Sequence, residues 1–159
     1  MEEFVNIGQM LVRRETGTLI AVGLGSCVGL VLMDQERKVG GMAHVFLPRD
    51  KRGEGHRFPG KFAETAIPAM LEEMIALGAR RRHITAKMAG GSLIFSFGGG
   101  RQLIDVGKQN VEMLQEQLAV HSIPLVASDV LGNKGRKMVY EVATGQVFVS
   151  TVGKPPVEL

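Results

Sequence analysis

One cysteine and one histidine are the residues of this chain whose types and spacing best suit chemistry. Cys27 is the single cysteine of 159 residues and lies in the glycine-rich segment 23–29, and His44 follows one strand-like segment later. Glycines permit a sharp turn and the close approach of another molecule. Because a thiolate is the attacking form of cysteine, an exposed polar turn with an imidazole nearby would favour a nucleophile. We therefore expect Cys27 and His44 to form a candidate catalytic pair.

The same two residues also have ordinary structural interpretations. Free cysteine is among the most often buried residue types and can act as a small hydrophobic side chain. His44 could be a hydrogen-bonded core histidine that shares a strand face with Met42 and Phe46. Since separation in sequence does not establish contact between side chains, the residues alone leave both interpretations open.

Other kinds of site find less support in the sequence. Gly23, Gly25 and Gly29 follow a predicted strand, but residues 28–33 are β-like where a dinucleotide-binding motif requires a helix. No glycine run is followed by Gly-Lys-Ser or Gly-Lys-Thr, which excludes a P-loop. The histidines are scattered, and no Cys/His pair has the spacing of a zinc site. We expect no metal and no cofactor.

Composition indicates one globular domain spanning residues 1–159. The chain is 45% hydrophobic and 22% charged, which is ordinary for a globular protein, so disorder is not expected. Nothing at residues 1–20 resembles a signal peptide and no apolar run reaches membrane-spanning length, which predicts a cytoplasmic protein. Basic residues cluster at 49–57 and 80–82, but one Tyr and no Trp argue against binding of single-stranded nucleic acid.

The elements that must position the pair are predicted to be short strands in the first third of the chain. Apolar runs separated by glycine and charged residues are typical of strands joined by tight turns. This pattern predicts strands at residues 4–12, 18–22, 28–33 and 39–46. The polar, glycine-rich residues 48–59 then predict a long loop.

Two helices and further strands are predicted in the rest of the chain. A helix over residues 61–77 would end at Gly78, and Pro68 would kink it or mark the start of its regular part. Its predicted buried face is Phe62, Ala66, Met70 or Leu71, Met74 and Leu77. A second helix covers residues 105–121 with Asp105 as its cap, and residues 132–135 form a loop. Strands are predicted at 83–88, 92–97, 125–130, 138–142 and 147–152. These elements predict an α+β fold, a mixed α/β sandwich of β-sheets packed with two main helices.

The segments around the pair resemble a known family, and the resemblance continues along the chain. Residues 23–28, Gly-Leu-Gly-Ser-Cys-Val, and 41–48, Gly-Met-Ala-His-Val-Phe-Leu-Pro, closely resemble CheD, the chemoreceptor glutamine deamidases of bacterial chemotaxis. Further matches follow in order: Ala-Lys-Met-Ala-Gly-Gly at 86–91, Gly107 with Asn110, Gly-Arg-Lys at 135–137 and Thr-Gly-Gln-Val at 144–147. Motifs in one order across nearly the whole chain are far more specific than any one of them.

The resemblance implies a cysteine hydrolase whose active-site layout is related to that of bacterial toxin deamidases. Cys27 and His44 would be catalytic, and we expect the turn at Gly25 and Ser26 to support the oxyanion through backbone amides. The implied substrates are glutamines on the cytoplasmic helices of methyl-accepting chemotaxis receptors, converted through a thioester into glutamates that can be methylated. A CheC-type CheY-phosphate phosphatase is an implied partner.

One position departs from the family pattern. A threonine often stands six residues before the family's cysteine, and that position here is Ala21, which cannot hydrogen-bond His44. Ser26, Thr18 or a backbone carbonyl could orient the imidazole instead, and the sequence leaves these alternatives open. The departure also keeps a second function under consideration, a regulatory binding module for a CheC-like phosphatase. A third class, a hydrolase of small amides or esters, would show activity on free substrates without a helical partner.

Overall fold

The computed structural model describes residues 1–94 and 105–159, which form two five-stranded sheets and two α-helices. The strands are β1 (Glu2–Phe4), β2 (Met10–Arg14), β3 (Thr18–Leu24), β4 (Val28–Asp34), β5 (Val39–Val45), β6 (Thr85–Gly90), β7 (Leu125–Val130), β8 (Arg136–Glu141), β9 (Val147–Thr151) and β10 (Val157–Glu158). The helices are α1 (Ala63–Ala76) and α2 (Val106–Val120). The predicted α+β class is confirmed.

Both sheets are mixed, and strands distant in sequence alternate within them. The first sheet has the order β1-β3-β8-β9-β10, and the second has the order β2-β5-β4-β6-β7. The pairs β1–β3 and β6–β7 are parallel, whereas the remaining pairs are antiparallel. The strands before and after Cys27 therefore belong to different sheets: β3 lies in the first and β4 in the second.

The second sheet is the middle layer of three. Every residue of β4 and β5 is buried, as expected for strands covered on both faces. Successive side chains of a strand point to opposite faces. Leu30 and Leu32 pack with the helices in one core, while Val31 and Met33 pack with the first sheet in the other. Cys27 belongs to the core between the two sheets.

The single strand predicted at residues 4–12 is wrong, because the chain turns there and enters the other sheet. β1 pairs with β3 in the first sheet, and β2 pairs with β5 in the second. Between them the Gln9 amide donates to the Asn6 carbonyl at 2.9 Å, and Gly8 has a φ of +82°, which glycine adopts without strain. The turn places residues 5–9 alongside His44, whose amide donates to the Gln9 carbonyl at 2.9 Å.

Both predicted helices are present. α1 begins two residues later than predicted, and one residue of its predicted buried face is exposed. α2 lies within one residue of its predicted bounds, and the Asp105 carboxylate accepts from the Lys108 amide at 3.0 Å. Gly78 follows α1 with a φ of +105°, as expected of a stop signal. Leu77, however, is 37% exposed because it caps the helix instead of lying on its buried face. Pro68 lies in the second turn of α1, and the helix continues through it.

The later strands are close to their predicted positions. β7 matches the prediction, and β8 and β9 differ by at most two residues at one end. Residues 92–94 are not a strand, and the remainder of the strand predicted at 92–97 lies outside the described residues. The short strand β10 is an addition that the sequence pattern did not indicate. None of the described helices has the length and apolarity needed to cross a membrane.

Candidate active site

Cys27 closes the turn between β3 and β4 and is buried. Its residue surface is only 5% exposed, so the expected exposed turn is wrong for the cysteine itself. The side chain lies in the core between the sheets together with Leu24, Ala89 and Met138. The reason is topological: β3 and β4 belong to different sheets, and the turn that joins them runs along the space between the two layers. Gly25 and Ser26 are half-buried.

The strand register brings His44 to the same face of the second sheet as Cys27. His44 in β5 pairs with Gly29 in β4, and Cys27 precedes Gly29 by two residues. Residues two apart on a strand share a face, and diagonal neighbours across an antiparallel pair are within reach of long side chains. The ladder thus pairs His44 with Gly29, two residues from Cys27, which lies in the turn just before β4.

Gly29, which pairs with His44, leaves room for side chains of the first sheet. A Cβ atom at this position would lie 2.8 Å from Met138 Sδ and 3.2 Å from Leu24 Cδ1, closer than packed atoms allow. A larger residue at Gly29 would therefore displace Met138 and Leu24 from the core between the sheets.

A backbone carbonyl orients the His44 imidazole. Nδ1 lies 2.9 Å from the Val5 carbonyl oxygen, and His44 is only 2% exposed. Because a carbonyl only accepts hydrogen bonds, Nδ1 carries the proton and donates it, which leaves Nε2 with a lone pair. Nε2 is buried and has no hydrogen-bond partner among the described residues. The imidazole is therefore held in the tautomer that a general base requires.

This geometry selects among the alternatives for the orienting group. The Thr18 hydroxyl donates to Glu141 Oε1 at 3.0 Å, away from His44. Ala21 is fully buried in the core between the sheets. The Val5 carbonyl accepts the hydrogen bond from Nδ1, which is the ring nitrogen that a threonine would contact to orient His44. Val5 could not be singled out from the sequence, since a backbone carbonyl has no residue-type signature.

Burial sets the protonation states of both members of the pair. Loss of solvation raises the pKa of the Cys27 thiol above its usual value, although a backbone hydrogen bond opposes the shift. Burial lowers the pKa of His44, and the bond to the Val5 carbonyl opposes that shift. Both directions favour the neutral thiol and the neutral imidazole.

Three hydrogen bonds fix the cysteine turn by its carbonyl groups. The Gly25 carbonyl accepts from the Ser92 amide at 2.8 Å, and the Cys27 carbonyl accepts from the Gly91 amide at 2.9 Å. The Ser26 carbonyl accepts from Asn110 Nδ2 at 3.0 Å. Among the described residues, no backbone carbonyl accepts a hydrogen bond from the Ser26 or Cys27 amide. The Cys27 amide is the backbone donor that opposes the rise in pKa of its own thiol.

The glycines of the Gly90-Gly91 segment are required by its close approach to the turn. Gly90 and Gly91 have φ values of +115° and +68°, in the region that favours glycine. A Cβ at Gly90 would collide with the Cys27 carbonyl oxygen, and a Cβ at Gly107 would lie 2.6 Å from the Gly91 carbonyl carbon. The sequence segments quoted for the resemblance, 86–91 and Gly107 with Asn110, thus meet at the cysteine turn.

Arg136 supports the same segment from the first sheet. It is buried, and its guanidinium donates to Ser92 Oγ at 2.8 Å and to the Gly90 carbonyl at 3.3 Å. An ion pair of 3.3 Å with Asp129 holds the other side of the guanidinium. Sequence reasoning placed Arg136 only within a matching motif, and the structure shows what it contacts.

The surface beside the cysteine turn is apolar, whereas the loop at residues 48–59 faces α2. Phe46, Leu93 and Ile94 are 37–41% exposed, and a Cβ at Gly25 would lie 3.3 Å from Ile94 Cγ1. A groove of about 760 Å³ between the loop and α2 is lined by neither Cys27 nor His44. Across residues 1–94 and 105–159, no three His, Cys, Asp or Glu side chains come together as a metal site would require.

Comparison with known proteins connects this chain to a family. A family model described as CheD chemotactic sensory transduction matches residues 46–151. The chain is 40% identical over 149 residues to the probable chemoreceptor glutamine deamidase CheD of Clostridium botulinum strain Hall, covering 94% of this chain and 92% of the relative. A protein of the same description from Clostridium novyi strain NT matches with the same identity and coverage.

These matches define the class of protein as one of chemotactic sensory transduction. Since the family model covers most of the chain and the relatives align with nearly all of it, the chain belongs to the CheD family. The resemblance stated from the sequence motifs is confirmed.

Proposed function

We propose that this protein hydrolyses glutamine side-chain amides of chemoreceptors to glutamates, with Cys27 as nucleophile and His44 as general base. The observation that carries the proposal is the His44 tautomer: Nδ1 donates its proton to the Val5 carbonyl, and Nε2 has no hydrogen-bond partner among the described residues. The pairing of His44 with Gly29, two residues from Cys27, supports the assignment of the pair. The relatives' printed description, chemoreceptor glutamine deamidase, supports the substrate class.

In the first half of the reaction, the Cys27 sulfur attacks the carboxamide carbon of the substrate glutamine. Because both groups are neutral at rest, Nε2 of His44 accepts the thiol proton as the carbon–sulfur bond forms. The Ser26 and Cys27 amides donate to the oxyanion of the tetrahedral intermediate. The imidazolium returns the proton to the leaving nitrogen, so ammonia departs and a thioester remains on Cys27. The Val5 carbonyl stabilises the transient imidazolium through Nδ1–H.

In the second half, water releases the product. His44 Nε2 accepts a proton from water as the oxygen attacks the thioester carbon, and the same two amides hold the second oxyanion. The carbon–sulfur bond then breaks, and the proton returns to the sulfur. The net reaction converts glutamine and water into glutamate and ammonia, and the mechanism calls for no metal or cofactor.

The surface around the turn suits a protein substrate. Phe46, Leu93 and Ile94 form an exposed apolar rim beside Gly25, which can cover one face of a helix that presents a glutamine. A glutamine side chain is narrow and extended, as access to a buried thiol demands. We therefore propose cytoplasmic receptor helices as the substrates, and their new glutamates as sites for methylation that tunes adaptation.

Mass spectrometry of a receptor cytoplasmic fragment tests the proposal. The fragment is incubated with the wild-type protein, with Cys27→Ala and with His44→Ala, each checked for folding by circular dichroism. We expect conversion of specific glutamines to glutamates by the wild type and loss of at least about a thousandfold in rate in both variants. Conversion that continues undiminished in Cys27→Ala would rule out the mechanism.

A second candidate function is regulatory binding of a CheC-type phosphatase with little deamidation. The observation that favours it is the burial of Cys27, since a buried thiol with a raised pKa is less reactive than an exposed one. It predicts that Cys27→Ala binds the phosphatase with wild-type affinity and changes its activity equally, while the wild type leaves receptor glutamines unmodified. Calorimetric titration together with the receptor assay separates the two functions.

A further inference from the structure

Asn110 links the two chain segments that carry Cys27 and His44. Its side-chain nitrogen lies 3.0 Å from the Ser26 carbonyl oxygen and 3.1 Å from the Phe46 carbonyl oxygen, and it donates one hydrogen to each. Ser26 directly precedes Cys27, and Phe46 follows His44 by two residues. Asn110 is fully buried, so water does not compete for these two hydrogen bonds.

The link stands where the β-ladder between these segments ends. Val28 and Val45 form the last pair of β4 and β5 on this side. Beyond it, the Phe46 amide donates to the Lys61 carbonyl at 2.9 Å, so the chain after β5 turns away from the cysteine turn. The β4–β5 ladder therefore does not extend to Cys27. Beyond its last pair, the Asn110 side chain connects the cysteine turn at Ser26 with the segment after β5 at Phe46.

Asn110 also sets the direction of an amide at the nucleophile. The described residues contain no cis peptide bond, and in a planar trans peptide the N–H points opposite to the preceding carbonyl. A carbonyl of Ser26 fixed toward Asn110 thus fixes the direction of the Cys27 N–H, one of the two candidate oxyanion donors. A hydrogen bond to the carbonyl also polarises the amide and strengthens its donor.

Packing alone does not account for an asparagine at this position. Its Oδ1 atom is buried and has no hydrogen-bond partner among the described residues, which is unfavourable for stability. Leucine has the same branching and the same number of side-chain heavy atoms as asparagine, and it carries no polar atom that needs a partner. What a leucine could not provide is the pair of hydrogens that Asn110 donates to Ser26 and Phe46.

We propose that Asn110 is a positioning residue for deamidation, which aligns the cysteine turn with His44 and directs the Cys27 amide at the oxyanion. The inference rests on the proposed function. Asn110 acts through Ser26, Cys27 and Phe46 and does not itself contact the substrate.

Kinetics of Asn110→Leu test the inference, with Leu114→Ala as the matched control. Leu114 lies one turn further along α2 and is fully buried, and its truncation destabilises the core without touching the cysteine turn. For Asn110→Leu we expect kcat to fall by about a hundredfold, as for loss of an oxyanion donor, with KM within about twofold of wild type. Leu114→Ala should lower the melting temperature at least as much and keep kcat within about threefold of wild type.

The inference is overturned if Asn110→Leu keeps the wild-type kcat, or if Leu114→Ala loses kcat to the same extent. Should Asn110→Leu fail to fold, Asn110→Ser retains one donor and should lose kcat partially with KM unchanged. Alkylation of Cys27 by iodoacetamide gives a readout that does not depend on the receptor. Slower alkylation of Asn110→Leu than of the wild type and of Leu114→Ala would support the alignment of the cysteine turn by Asn110. A wild-type protein that does not deamidate the receptor would contradict the proposed function and leaves this alkylation result in force.

Discussion

His44 donates its Nδ1 hydrogen to the Val5 carbonyl oxygen across 2.9 Å, which makes a backbone group the orienting partner of the candidate base. Val5 follows β1 directly, and its own amide donates to the Ile20 carbonyl of β3 at 2.8 Å. The first sheet thus holds the imidazole of a histidine that belongs to the second.

The pH dependence of deamidation should show a broad plateau. Burial places the pKa of His44 below its usual 6.5 and that of Cys27 above its usual 9.0. Because its pKa is lowered, His44 is still neutral at pH 6.5 and can act as a base there. Because its pKa is raised, the Cys27 thiol is still mostly protonated at pH 9.0. We expect kcat/KM to decline only outside these limits. An acid limb centred above 6.5 would contradict the lowered pKa of His44.

Cys27 should alkylate more slowly than free cysteine at neutral pH. Burial limits access to the sulfur, and its raised pKa reduces the thiolate fraction. Iodoacetamide labelling, followed by intact-mass measurement, should show a rate that rises with pH to beyond 9.0. Cys27→Ser is the control for labelling at other sites. A rate well above that of free cysteine would mean that the thiol is ionised at rest.

The substitution Ala21→Thr should not raise turnover. Ala21 is fully buried, and the Val5 carbonyl already holds Nδ1 of His44. Adding a hydroxyl and a methyl group to a packed core costs about 1–3 kcal/mol of unfolding free energy. We expect unchanged or lower kcat together with reduced stability, measured by denaturant unfolding. Ala21→Ser adds the hydroxyl alone and serves as the control for volume. A clear increase in kcat for Ala21→Thr would show that the orientation of His44 limits the reaction.

Gly90→Ala should disrupt the cysteine turn far more than alanine at a positive-φ glycine whose Cβ would meet open space. Gly90 has a φ of +115°, and its Cβ would collide with the Cys27 carbonyl oxygen. Gly53 in the loop also has a positive φ, +72°, but its Cβ would meet nothing within 4 Å. We expect Gly53→Ala to cost about 1 kcal/mol of unfolding free energy and to remain active. Gly90→Ala should cost several times as much, about 3 kcal/mol or more, and abolish deamidation. Equal effects of the two substitutions would contradict the close approach.

The parts of the fold set by local signals could be predicted from the sequence. α2 has a capping aspartate and apolar residues at helical spacing, and β7 is bounded by Pro124 and by Gly132 shortly after its end, so both were located closely. Residues 4–12 are apolar at both ends, and the turn between Asn6 and Gln9 together with the separate sheet partners divides them. That division depends on tertiary pairing, which a single strand pattern does not contain.

The candidate site was predictable in its residue types and not in its environment. Cys27 and His44 stood out because of their chemistry and their motifs. The burial of Cys27 follows from β3 and β4 entering different sheets, a feature of topology that no local pattern carries. The Val5 carbonyl is backbone and has no signature, and Asn110 was visible only as one letter of a motif on a distant helix.

Direct capture of the covalent intermediate tests the central claim that Cys27 attacks the glutamine. The wild-type protein is mixed with a receptor fragment, quenched in acid within a single turnover, digested and analysed by mass spectrometry. The account predicts a thioester between the substrate side chain and the peptide that contains Cys27, lighter than the sum of its parts by one ammonia and cleaved by hydroxylamine. Full turnover without any adduct on Cys27, together with unchanged turnover by Cys27→Ala, would contradict it.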